Sequence, residues 1–179
     1  MSLSNHLPLV VFSHGKEGTP WGGKIQRLTE VAQKQGFEVE SIDYRDLTGA
    51  ELRVERLIHR IPHDHPALVL VGSSMGGYQS IVASAVLRPG GLFLMAPAIG
   101  LETGEYAHSS PVPHASKMAI VHGWEDDVVA PEKVITFARL HRIPLTLLPD
   151  GHRLLEVIDE IAFLFSRFLE TLSIGRGRV

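Results

Sequence analysis

The chain has 179 residues, no cysteine, and 17 basic against 20 acidic side chains, for a formal charge of −3. One domain of that length buries about two thirds of its unfolded surface without metal or disulfide support. The mild negative charge excludes broad attraction to nucleic acid or anionic lipid, and the lack of cysteine excludes disulfides and thiol chemistry, so small molecules are the expected partners.

The opening MSLSNHLPLVVFSHG has no basic leader and an apolar run too short for a signal-peptide core. Its LPLVVFSH run predicts a first strand over residues 7–14, ending in His14-Gly15. A helix is expected over 23–35, stopped by Gly36, then a strand over 37–44 and a helix over 52–60. The following HRIPHDHP gathers His59, His63 and His65 around Asp64. It reads as a polar loop, since its prolines break the fixed geometry that a metal site needs. An apolar strand over 67–74 leads at once into a helix over 76–87, and another strand follows over 91–98.

Residues 99–116 form the one long irregular stretch, placed after a strand end as a rim or short lid loop, with His108 and His114 on it. Beyond it come a strand over 117–123, a helix over 131–140 begun by Pro131, and a strand over 144–150. A final helix is expected over 154–172, apolar nearly all round, which suits burial against the sheet or contact with a second copy. The tail SIGRGRV reads as a frayed terminus. Alternating strands and helices, several strands almost wholly apolar, predict a single α/β domain over 1–179. Its architecture is a three-layer sandwich with a mostly or fully parallel six-stranded sheet. No apolar stretch reaches the length of a bilayer span, and the expected location is the cytoplasm.

The segment Gly72-Ser73-Ser74-Met75-Gly76 carries the chemistry. It is a G-x-S-x-G elbow set between a strand and a helix, where a serine can stand strained and exposed. Gly72 and Gly76 lack the Cβ atoms that would collide where strand and helix run close. A serine hydroxyl is a weak nucleophile until a base takes its proton and a carboxylate steadies the resulting imidazolium. Both partners are available at later strand ends: Asp126 and Asp127 past the fifth strand, and His152 past the sixth.

On these residues the chain resembles the α/β-hydrolase superfamily, and is similar to compact bacterial esterase-like and dienelactone-hydrolase-like proteins. The order Ser74, Asp126, His152 matches that scaffold. The stretch His122-Gly123-Trp124-Glu125-Asp126-Asp127-Val128-Val129 resembles the superfamily's HG-x-x-D-x-x-V pattern, which selects Asp126 as the acid with Asp127 as fallback. Gly151-His152 matches the base. His14-Gly15 resembles the HG oxyanion loop, implying that the backbone N–H groups of Lys16 and Met75 bind an oxyanion while His14 supports the loop. The chain opens on the oxyanion-loop strand and carries no inserted cap, so a reduced fold without the usual first two strands is expected.

The resemblance implies a serine hydrolase acting on a small carboxylic ester, with no cofactor and no metal, as a monomer or homodimer. A thioesterase or an acyltransferase would use the same triad, and a binding protein could retain the fold without its chemistry. Ser73 is expected to shape the site's floor or to hydrogen-bond a strand end, Tyr78 to pack between helix and sheet, Trp21 to cover the start of the first helix or else line the pocket, and Glu125 to face solvent. The glycines of EGTPWGGK match neither phosphate-binding pattern, which argues against a nucleotide.

Overall fold

The computed structural model describes residues 7–62, 65 and 67–172. Its elements, in chain order, are β1 (Leu9–Ser13), α1 (Gly23–Lys34), β2 (Glu38–Ile42), α2 (Ala50–Arg60), β3 (Leu68–Ser73), α3 (Met75–Leu87), β4 (Gly91–Met95), β5 (Lys117–Gly123), α4 (Pro131–His141), β6 (Leu145–Leu148) and α5 (Ile158–Thr171). The six strands form one sheet in the order β2-β1-β3-β4-β5-β6, and every pair is parallel. The central strands are apolar because both of their faces are covered. Val11, Leu70, Leu92 and Leu94 pack with α2, α3 and α4 residues such as Leu57, Ile81 and Phe137. Val10, Phe12, Val69 and Phe93 pack on the opposite face with Leu28 of α1 and with Ile161, Phe165 and Phe168 of α5.

The chain runs from β1 outward to β2 and then returns to place β3 on the other side of β1. At such a reversal the loops leaving the two neighbouring strands diverge, opening a crevice at the carboxyl ends. The loop after β1 and the elbow after β3 both border that crevice.

All six expected strands are present, each trimmed by one or more residues at one or both ends except β5, which matches its prediction. The last helix differs more: residues 154–157 are not helical, and α5 starts at Ile158. Leu154 takes a left-handed φ of 52° while its side chain is fully buried. Asp150 Oδ2 accepts the Glu156 and Val157 N–H groups ahead of the helix. The apolar character of α5 is also resolved onto one side. Ile161, Ala162, Phe165, Phe168 and Leu169 face the sheet, whereas Phe163 is 65% exposed. No helix among the described residues is long and apolar enough to cross a membrane.

Candidate active site

Ser74 links β3 to α3 with φ 55° and ψ −119°, a backbone conformation that costs a non-glycine residue energy and needs its surroundings to hold it. Those surroundings are tight. A Cβ on Gly72 would strike the Gly76 carbonyl, and one on Gly76 would strike the Ser13 carbonyl. The helix therefore starts directly against the ends of β3 and β1. The Ser74 N–H donates to Met95 O at 3.0 Å, and the Ser74 carbonyl accepts the Ala98 N–H at 3.0 Å, tying both sides of the turn to the segment leaving β4.

His152 approaches from the loop after β6. Its Nε2 lies 2.8 Å from Ser74 Oγ and its Nδ1 2.8 Å from Asp126 Oδ2. A carboxylate oxygen only accepts, so Nδ1 carries the proton and Nε2 is left to accept from the serine hydroxyl. Asp126 is the carboxylate that reaches the imidazole, and its side chain is fully buried. Asp127 and Glu125, on either side, are exposed. The other oxygen of Asp126 accepts the N–H groups of Val128 at 2.9 Å and Val129 at 2.8 Å. Burial alone would raise the Asp126 carboxyl. The hydrogen bonds from His152, Val129 and Val128 overcome it and hold the group below the usual carboxylate range.

Two further histidines frame this chain of bonds. His122 is fully buried, and its Nε2 donates to Val129 O at 2.9 Å, 3.4 Å from Asp126 Oδ2. Burial lowers its pKa, so it stays neutral and steadies the loop that carries Asp126. His14 uses both ring nitrogens: Nδ1 donates to Gly15 O at 2.7 Å, and Nε2 accepts the Tyr44 N–H at 3.1 Å. It too is lowered by burial.

The loop after β1 is pinned from beneath. Arg53 of α2 is 2% exposed, and its guanidinium donates to Leu47 O at 3.0 Å, Gly15 O at 3.4 Å and Lys16 O at 3.2 Å. Gly15 O also accepts the Gly18 N–H at 3.1 Å. In a trans peptide the N–H points opposite to the C=O, so the Lys16 N–H is turned away from these donors. A Cβ on Gly15 would stand 3.4 Å from Ser74 Cβ, which places this loop against the elbow. Met75 opens α3, where the first N–H groups have no acceptor within the helix.

Residues 99–116 are fastened along much of their length. The Lys16 ammonium, on the loop after β1, pairs with Glu105 of this stretch at 2.7 Å. Glu51 accepts the Tyr78 hydroxyl at 2.6 Å and the Ala107 N–H at 3.2 Å, and the Tyr78 oxygen accepts the His108 N–H at 3.3 Å. Tyr78 thus packs toward α2 and, edge-on, against Tyr106 rather than simply between helix and sheet. The His114 ring accepts from Arg88 at 3.1 Å, and His108 is exposed. Trp21 is 47% exposed. His59 donates to Glu55 O within α2, while His63 and Asp64 lie outside the described residues.

Sequence reasoning passed over Arg53 and Lys24. The Lys24 ammonium, from the first turn of α1, donates to Ser73 Oγ at 2.9 Å beside the elbow. Burial pulls it down to about 8, partly offset by Asp150. No local motif marks either residue, since each acts on a segment tens of positions away. Among the described residues no group of three or more His, Cys, Asp or Glu gathers as a metal site.

The fold has solved counterparts. A Xanthomonas campestris protein assigned to the alpha/beta hydrolase superfamily is 28% identical, with a TM-score of 0.82 over 92% of this chain and 98% of its own. A serine hydrolase without lid from the same species is 19% identical, with a TM-score of 0.68 over 92% of this chain and 82% of its own. An esterase from Pyrococcus furiosus is 17% identical, with a TM-score of 0.74 over 91% and 82%. No family model and no curated protein sequence matches the chain. The chain is a small member of the α/β-hydrolase superfamily, with no helix inserted over the sheet edge among its described residues.

Proposed function

We propose that this protein is a serine hydrolase that cleaves a small carboxylic ester through an acyl-enzyme. The observation that carries this reading is the unbroken chain Ser74 Oγ, His152, Asp126, with 2.8 Å at each link, on a strained elbow at the sheet's switch point. His152 Nε2 takes the Ser74 proton as Oγ attacks the acyl carbon, and Asp126 stabilises the imidazolium at Nδ1. The N–H groups of Lys16 and Met75 receive the oxyanion, and losing one such donor typically costs about 10²–10³ in rate. His152 then protonates the departing alcohol and activates the water that releases the acyl group. Ester cleavage is favoured over other acyl chemistry by the neighbour described as an esterase. A thioester would be opened by the same groups.

The test is hydrolysis of p-nitrophenyl esters from acetate to decanoate, with Ser74→Ala alongside. Turnover that falls at least about 10³-fold in the variant is expected from loss of a nucleophile. Folded wild-type protein that neither cleaves any ester or thioester nor reacts with a fluorophosphonate at Ser74 would overturn the reading.

A further inference from the structure

The proposed chemistry leaves one charged group at the site without a task. Lys24 extends from α1 to the end of β3, where its Nζ donates to Ser73 Oγ at 2.9 Å. Ser73 is bonded to Ser74, so chain geometry alone keeps the ammonium within about 11 Å of the Ser74 hydroxyl. The ammonium is only partly open to solvent, and a charge in that position ordinarily sits against a carboxylate. Among the described residues, no carboxylate lies within ion-pair distance of it.

The acids that act on it from further off are engaged elsewhere. Asp150 accepts the N–H groups of Gly151, Glu156 and Val157. Asp126 is taken up by His152, Val128 and Val129. Arg153, which follows the base, is exposed and near enough to repel Lys24. No acidic residue stands in the first turn of α1 to compensate either cation. Beside the nucleophile, then, the α1 side of the crevice carries an ammonium that no carboxylate touches, with Asp150 and Asp126 offsetting its charge only from further off.

We infer that Lys24, assisted by Arg153, forms an anion subsite of this same active site. Its substrate is an ester or thioester bearing a carboxylate or phosphate group a short chain away from the scissile carbonyl. The inference rests on the hydrolase reading for its chemistry, but it can be measured as binding alone. An anion there accepts a hydrogen bond from an ammonium already held in place by Ser73, and it replaces solvent around two like charges. A neutral acyl or alcohol group gains neither interaction.

The experiment uses two matched ester pairs and the Ser74→Ala protein, with binding followed by calorimetry at pH 7. One pair places the charge on the acyl side: p-nitrophenyl hemisuccinate against p-nitrophenyl 4-methylpentanoate. The other places it on the leaving group: 4-carboxyphenyl butyrate against 4-carbamoylphenyl butyrate. At least one anionic ester is expected to bind tenfold or more tightly than its neutral twin. Adding Lys24→Met, which keeps the length of the side chain without its charge, abolishes that preference, and Lys24→Arg retains part of it. Lys34→Gln, which removes the same charge from the far end of α1, leaves it in place. Equal binding within both pairs, or a preference that survives Lys24→Met, overturns the inference. A protein that binds the anionic ester in the Ser74→Ala form but never cleaves it as wild type would instead sink the hydrolase reading and leave the subsite standing.

Discussion

Asp126→Asn isolates the electronic part of the site from its architecture. In the native protein one carboxylate oxygen accepts two backbone N–H groups, and the other accepts His152 Nδ1–H. Asparagine has one acceptor oxygen. Turning its NH2 toward the Val128 and Val129 N–H groups would set donor against donor in a fully buried place, so the oxygen stays there and the NH2 faces His152. The imidazole must then accept at Nδ1, which moves its proton to Nε2. A protonated Nε2 can donate to Ser74 Oγ but cannot take its proton.

The expected loss is about 10³–10⁴ in kcat, or roughly 4–5.5 kcal/mol of transition-state stabilisation. The assay is the rate of p-nitrophenol release under single-turnover conditions, with the melting temperature followed in parallel. The backbone bonds of the loop persist, so the fold is expected to hold while the rate collapses. Asp127→Asn, at an exposed position with no such bonds, is expected to stay within twofold of wild type on general surface grounds. A fall of less than tenfold for Asp126→Asn would show that the buried carboxylate does not set the tautomer of the base.

Three further expectations can be checked together. Lys16→Ala keeps the backbone N–H and removes only the exposed side chain and its pairing with Glu105, so kcat should stay within about threefold; a tenfold loss would mean that the ammonium itself touches substrate. Arg53→Met removes the donors holding the Gly15 and Lys16 carbonyls, so kcat should fall by about 10–100-fold with KM little changed, as expected when an oxyanion donor is misaimed; an unchanged kcat would free Arg53 of that role. Folding should weaken in acid. Burial lowers His122 and His14 below the ordinary 6.5, so the unfolded chain binds protons that the folded one refuses. Their contribution is complete above pH 6.5 and is lost as pH falls through the lowered folded values, with Asp126 adding a later loss below the usual carboxylate range. Urea melts between pH 8 and pH 4 give the slope, and a flat profile below pH 6.5 would contradict it.

The order and type of the elements were legible because both signals are local. Apolar runs mark strands covered on both faces, and the spacing of apolar residues marks the helices between them. The same holds for the elbow, where glycines flank a serine at a strand-to-helix junction, and for the chain order of Ser74, Asp126 and His152. Residue type by itself could not separate Asp126 from Asp127, and it is the resemblance to the HG-x-x-D-x-x-V pattern that selects Asp126, with Asp127 as fallback. They are chain neighbours of identical chemistry, and only the turn after β5 buries one against His152 and leaves the other in water. Nor could local pattern find the non-helical start of residues 154–157, because Leu154 adopts a left-handed backbone to bury its side chain in a core assembled from distant elements.

Lys24 and Arg53 are the clearest cases of what tertiary structure alone decided. Each is an ordinary cation on an amphipathic helix when read in sequence. Each acquires its place from the sheet order, which sets β1 between β2 and β3 and so brings α1 and α2 to opposite sides of one crevice. Periodicity reports which face of an element is apolar, but not which other element will lie against its polar end. That is settled by how the strands are ordered, and here the ordering brings Lys24 to Ser73 beside the elbow and Arg53 beneath the loop after β1.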